Sequence, residues 1–275
     1  MSAITRDTLK LRVASGAVLI PLVLAATILG TPYFQVLVLI AIAILGWEWL
    51  GLLGLNRSAL DTSLFLGALA AAAVVTIAVA WREGFWTAVA ASLALTIVYL
   101  VRDRERATWI GAGAVYVFLP CWSVLWLRLD VENGLQLILW IFVVVWASDI
   151  GAYAVGRTVG GPKLLPSVSP KKTWSGLAGA MVSAAVAAVV FVGFLDDWGA
   201  NLNQYAAMAL FGAIIGVVGQ FGDMVESGIK RHFGVKDMGT MIPGHGGLFD
   251  RVDGLMFVAP AIALLKVLFP EGIAL

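Results

Sequence analysis

VASGAVLIPLVLAATILGTPYFQVLVLIAIAILGW, residues 13–47, contains no charged side chain. A membrane-crossing helix needs ~20 apolar residues, and Gly30-Thr31-Pro32 interrupts the run with a tight-turn signal. The stretch therefore reads as two membrane helices joined by a short connection. Working outward, the chain stays uncharged from Thr173 to Leu195 and again from Trp198 to Gly222. Each of these runs supplies a further span.

Composition agrees. Hydrophobic residues make up 61% of the chain and charged residues 13%, whereas soluble globular domains hold about 45–50% apolar and about 25% charged residues. The predicted fold class is all-α: a polytopic integral membrane helix bundle of about nine transmembrane helices. Their expected positions are 13–30, 34–54, 63–81, 85–101, 108–127, 135–156, 174–195, 204–227 and 254–270. An N-terminal membrane sub-bundle, 1–130, precedes a functional half, 131–275, with loops at 157–173 and 228–253. Arg6, Lys10 and Arg12 before the first apolar run resemble a secretory leader. No A-x-A-like cleavage site follows, so an uncleaved first span is expected.

Lys and Arg set the expected orientation. With a cytoplasmic N-terminus and nine spans, Arg6–Arg12, Arg57, Arg102–Arg106, Arg157–Lys172 and Lys230–Arg251 all fall on the cytoplasmic side. Arg82 and Arg128 fall outside, Lys266 lies near the outer end of the last span, and the C-terminus is outside. The net charge of +1 points to no nucleic-acid partner. Cys121, the one cysteine, sits in an apolar stretch and reads as a packing residue.

The polar residues concentrate in SGIKRHFGVKDMGTMIPGHGGLFDRVD, residues 227–253. Just upstream, Asp223 lies in the eighth span, and Asp223, Glu226, Ser227 and Lys230 share one helical face by their spacing. A carboxylate inside a membrane helix is costly unless it meets a cavity, a metal or a partner. For Glu226 and Lys230, a snorkelling intrahelical pair explains the pattern equally well. Asp250 and Asp253, at i and i+3, fit the first turn of the ninth helix, both pointing one way. With Asp223 they form a hard-oxygen set of the kind Mg²⁺ takes, though helix capping and pairing with Arg251 would also account for Asp250 and Asp253. Gly244, Gly246 and Gly247, flanked by Lys230, Arg231, Lys236 and Arg251, suit a loop that cradles a phosphate group. His245 fits either a phosphate contact, an acid for a leaving group, or a loop-ordering residue.

A second cluster, SDIGAYAVGRTVGGPKLLPSVSPKKTW, follows the sixth span. Asp149 and Tyr153 share a helical face at its end. Gly156, Gly160 and Gly161 then break the helix into a loop stiffened by Pro166 and Pro170. Ser169, Lys171, Lys172 and Thr173 end that loop. They read either as phosphate ligands or as positive-inside signalling with a helix cap.

Ser227-x-Ile229-Lys230-Arg231, Lys236-Asp237-x-Gly239 and Ile242-Pro243-x-His245-Gly246-Gly247-Leu248-x-Asp250-Arg251-Val252-Asp253 together resemble the signature of the phosphatidate cytidylyltransferase (CDP-diacylglycerol synthase) family. The Asp149–Gly156 and SPKKTW stretches are similar to other shared segments of that family, so the resemblance covers about the C-terminal half. Ser175 departs from it, standing where the family usually has Glu. The resemblance implies transfer of a cytidylyl group from CTP to phosphatidic acid, giving CDP-diacylglycerol and pyrophosphate. It implies Mg²⁺ at Asp223 and Asp250 with Asp253 close by, a monovalent cation such as K⁺, and a homodimer in a bacterial inner membrane with its site facing the cytoplasm. The expected catalytic set is Asp223, Asp250, Lys230, Arg231, Arg251 and His245. The expected substrate-binding set is Asp149, Tyr153, Ser169, Lys171, Lys172, Ser227, Lys236, Gly246 and Gly247. A cytidylyltransferase for another lipid phosphate, such as an isoprenoid ether lipid, shares the head-group chemistry. A secondary transporter also uses carboxylates in broken helices, but near the midplane rather than at span ends.

Overall fold

Each uncharged run forms a helix, and the breakers set the ends. The computed structural model describes residues 3–195, 199, 201–244 and 246–269. Its elements are α1 (Ala3–Leu29), α2 (Tyr33–Leu52), α3 (Ala59–Ala78), α4 (Trp81–Arg102), α5 (Arg104–Leu129), α6 (Gly134–Thr158), β1 (Lys163–Leu165), β2 (Ser169–Thr173), α7 (Trp174–Leu195), α8 (Leu202–His232), α9 (Phe249–Val252) and α10 (Leu255–Leu268). The starts carry local caps. Ser58 accepts from Asp61 N at α3 and Asp103 accepts from Arg106 N at α5. Asn201 and Gln204 form a reciprocal capping box at α8.

The chain is an all-α polytopic membrane protein. Seven helices, α2 to α8, are long and apolar enough to cross a bilayer. The other two expected spans are shorter among the described residues: Val13–Leu29 within α1, and the 14-residue α10. At ~1.5 Å per residue, α10 is shorter than the ~30 Å hydrocarbon layer. Large apolar side chains such as Ile28, Val101, Ile150 and Phe194 stand exposed on helix surfaces, as a lipid surrounding favours.

Two compact units emerge. One holds residues 1–131 and 235–252, the other 132–234 and 253–275. The signature segment expected within the C-terminal half is thus divided, and residues 235–252 pack with α1–α5. Aromatic rings fill this first unit, with Phe34, Trp49, Phe65, Tyr99 and Phe249 all fully buried.

In the second unit small residues replace aromatics at the helix contacts. Ala180, Ala184 and Ala188 form one buried stripe on α7. A Cβ at Gly212 of α8 would lie 2.6 Å from Ala188 Cβ, and one at Gly216 would lie 3.0 Å from Ala184 Cβ. On the opposite side of α7, a Cβ at Gly179 would meet Gly151 O of α6 at 2.7 Å. Helices packed through small residues let their backbones approach, which is how apolar helices associate without a hydrophobic drive between them.

Two expectations are corrected here. Residues 163–173, expected as an irregular loop, form an antiparallel hairpin with Lys163 opposite Thr173 and Leu165 opposite Ser169. Asp250 and Asp253 do not share the first turn of the last long helix. Asp250 lies in the four-residue α9, and Asp253 lies in the turn before α10.

Candidate active site

The hairpin explains the two adjacent lysines. Successive side chains of a strand point to opposite faces, and along β2 Lys171 is exposed while Lys172, on the other face, is half-buried; Thr173, at the strand's end, is buried against the start of α7. Lys172 Nζ reaches Asp223 Oδ2 at 2.6 Å and donates to Gln220 O at 3.1 Å. Thr173 is buried and its Oγ1 accepts from Gly176 N at 3.1 Å, so it caps α7. Ser175 donates to Gly160 O, tying the start of α7 to the loop after α6. The residue that departs from the family pattern therefore has a local structural partner.

Around that ion pair the second unit gathers further polar groups. Gln220 Nε2 donates to Asp149 Oδ1 at 3.1 Å, and Ser227 Oγ donates to Asp223 Oδ1 at 3.4 Å. Asp253 joins from the turn before α10. A Cβ at Gly222 would lie 2.7 Å from Asp253 O, so this glycine lets the backbone of the turn close onto α8. Burial, then the nearby charge of Asp223 and of Asp149, pushes the Asp253 carboxyl up to about 7, while Lys172 and the Gly254 N–H act in the opposite direction. Crowded carboxylates beside one ammonium make a site short of positive charge.

Lys230 is engaged elsewhere. Its Nζ lies 2.9 Å from Oε1 of the fully buried Glu226, one turn back on α8. Tyr153 is exposed, receives a bond from Arg157 and carries the Arg157 guanidinium 5.7 Å above its ring. Ser169 is half-buried at the start of β2, and Arg231 is exposed at the end of α8.

In the first unit the signature segment makes a tightly bonded turn. Asp250 is buried, and its Oδ2 accepts from Met238 N and from Gly247 N, both at 3.0 Å. Leu248 N and Phe249 N donate to Oε1 and Oε2 of Glu48 at 2.8 and 3.1 Å. Of the glycine loop expected to cradle a phosphate, the Gly247 N–H is thus directed at Asp250, and the N–H groups of Leu248 and Phe249 that follow it are directed at Glu48. Gly246 has φ +87°, a left-handed conformation that favours glycine, and its carbonyl accepts from Ile242 N at 2.9 Å. Lys236 and Arg251 are exposed, and His245 lies outside the described residues.

The sequence pattern described as the Cytidylyltransferase family matches residues 10–269. The chain belongs to that family. A Brucella suis protein named phosphatidate cytidylyltransferase is 36% identical over 234 residues, covering 82% of this chain and 74% of that protein. A Bacillus subtilis protein of the same name is 39% identical over 181 residues, covering 64% and 65%. A Staphylococcus haemolyticus protein, again so named, is 46% identical over 136 residues, covering 50% and 51%.

For a cytidylyltransferase-family chain the donor set suits a hard cation. Among the described residues no group of three or more His, Cys, Asp or Glu side chains forms a metal cage. Mg²⁺ does not require one, since it takes one or two carboxylates and completes its shell with water and substrate phosphates. Asp223 and Asp253, whose mutual repulsion a cation would relieve, fit that demand.

Sequence reasoning missed Glu48, which the structure bonds to the signature turn, and Gln220, which it bonds to Lys172 and Asp149. Both are polar groups within otherwise apolar helices, and an ionisable residue in such a helix is a functional hypothesis by default. That signal was present at Glu48.

Proposed function

We propose that the chain transfers the cytidylyl group of CTP to phosphatidic acid, releasing pyrophosphate and forming CDP-diacylglycerol for phospholipid biosynthesis. Family membership over residues 10–269 carries this reading. The cluster of Lys172, Asp223, Asp149 and Asp253 supports it. A phosphatidate oxygen attacks the α-phosphorus of CTP in line, a new P–O bond forms, and the bond to the β-phosphate oxygen breaks. The attacking oxygen is already anionic near pH 7, so no strong general base is needed. The protein's task is to align two anions and offset their charge.

Asp223 and Asp253 would hold Mg²⁺, with K⁺ assisting, and the cation would supply charge neutralisation for the triphosphate. Lys172 stands beside that pair, where its ammonium can pass from Asp223 to a phosphate oxygen. Arg231 steadies the triphosphate, while Lys171, Ser169 and Tyr153 serve the lipid phosphate; Lys236, Arg251 and His245 keep the phosphate-binding role that the resemblance implies. Asp250, implied by the resemblance to bear on the metal, also folds the signature turn. A cytoplasmic N-terminus and a site facing the cytoplasm of a bacterial inner membrane follow from the cation distribution, with α1 and the short α10 adding two crossings to the seven long helices. The enzyme works as a homodimer.

The test is purified protein in detergent with CTP, Mg²⁺ and either diacyl phosphatidate or an isoprenoid ether lipid phosphate. CDP-diacylglycerol and equimolar pyrophosphate are expected from the first. Preference for the ether lipid would move the assignment to another lipid cytidylyltransferase, and no product from either would overturn it. A C-terminal tag accessible from the cytoplasm would contradict the nine-span orientation.

A further inference from the structure

We infer that Glu48 of α2 is a positioning residue for the reaction: it holds the turn Gly247–Asp250 in its working shape. This rests on the cytidylyltransferase reading.

Glu48 is 3% exposed, and both of its carboxylate oxygens are directed at the start of α9. Oε1 accepts from Leu248 N at 2.8 Å and Oε2 from Phe249 N at 3.1 Å, two consecutive N–H groups gripped by one fork. The preceding N–H, that of Gly247, goes to Asp250 Oδ2. Three successive backbone donors are therefore divided between two acids, and the shape of the turn depends on both. Charge-assisted bonds of this kind are stronger than neutral ones, and more so away from water.

The glycines of the signature fit the same account. A Cβ at Gly239 would stand 2.6 Å from Glu48 Oε1, and one at Gly247 would stand 2.8 Å from both carboxylate oxygens. These two positions leave room for a protein carboxylate. The neighbouring residue reinforces the clasp: Trp49 lies 6.1 Å from the Phe249 ring, while Tyr116 stacks on Phe249 at 5.7 Å and 8°. Trp49 itself is fixed by donating to Trp109 O at 3.0 Å. A Gln at position 48 would offer one acceptor oxygen and turn an amide N–H₂ toward the other donor, releasing half of the fork.

The experiment uses the full-length enzyme in detergent, with kcat, both KM values and the thermal midpoint measured for Glu48→Gln, Glu48→Ala, Gly239→Ala and the double variant Glu48→Ala/Gly239→Ala. Glu48→Gln should lower kcat between about tenfold and 10²-fold, the scale of a misplaced catalytic group, with KM for phosphatidate unchanged. Gly239→Ala should cause a similar loss in the wild-type background and little further loss once Glu48 is Ala, because the space has been vacated. If Glu48→Gln does not fold, Gly239→Ala and the double variant carry the same test from the loop side. Wild-type kcat in Glu48→Gln, or fully additive losses in the double variant, would overturn the inference. An inactive wild-type enzyme would instead sink the proposed reaction.

Discussion

Lys172 and Asp223 form a 2.6 Å ion pair between the inward face of strand β2 and helix α8. Neither residue is fully buried, with side-chain exposures of 16% and 30%, so the pair borders solvent rather than filling a core. A pair so placed can open toward a substrate phosphate. Lys172→Met is expected to lower kcat/KM by about 10²-fold or more, the scale seen when one preorganised charge-stabilising donor is lost. Lys171→Ala, on the exposed face of the same strand, should have the smaller effect. Equal losses at the two positions would contradict the division made by the strand.

The charge of Asp250 can be tested apart from its part in the turn, because its amide retains an acceptor. Asp250→Asn keeps an oxygen that can accept from Met238 N and Gly247 N, so the turn should survive while the charge is lost. Turnover is expected to fall below about 1% of wild type in both Asp223→Asn and Asp250→Asn, as for removal of a principal electrostatic group, with membrane insertion intact. Near-normal activity in both would remove the assignment of these acids.

Asp253 sets a pH dependence whose sign follows from its surroundings. Its carboxyl is pushed up to about 7, above the unfolded value near ~3.9, so folding opposes its ionisation. The stability linked to this group is fully present below the unfolded value and is lost as pH rises through about 7. In EDTA, the thermal midpoint of the detergent-solubilised protein should therefore decline as pH rises from about 4, near the unfolded value, to about 7 and level off above it. Asp253→Asn should flatten the decline, and Mg²⁺ should raise the wild-type midpoint more at pH 8 than at pH 6. An unchanged slope in the Asn variant would contradict the assignment.

Gly222 tests whether close packing places Asp253. Its added Cβ would lie 2.7 Å from Asp253 O and 3.0 Å from Phe257, so Gly222→Ala should move the turn away from α8. A cost of about 1–3 kcal/mol is expected from such overpacking, together with reduced activity. Gly67→Ala on α3 meets nothing within 4 Å and should be tolerated. Equal behaviour of the two variants in thermal and activity assays would argue against the contact.

The helices were legible because their signals are local. Uncharged runs and the Gly30-Thr31-Pro32 turn fix element positions without reference to distant residues. The C-terminal polar clusters were legible as well, since Asp223, Lys172 and the signature stand out against an apolar background. What the sequence hid depends on phase and on distant contact. Lys171 and Lys172 look equivalent until a strand separates their faces, and Pro166 and Pro170 made that strand read as loop. Asp250 and Asp253 read as one helical turn because their i, i+3 spacing gives no sign of the break at Gly254. Glu48 lies 200 residues from Leu248, so no local pattern links the acid to the glycines that accommodate it.

The most direct measurement follows two labels of CTP through one turnover. With the purified protein, Mg²⁺ and phosphatidic acid, the account predicts that ³²P from the α-position enters the organic-soluble lipid. Label from the γ-position should appear only in pyrophosphate. Retention of the α-label in water-soluble nucleotide, or entry of the γ-label into lipid, would contradict cytidylyl transfer.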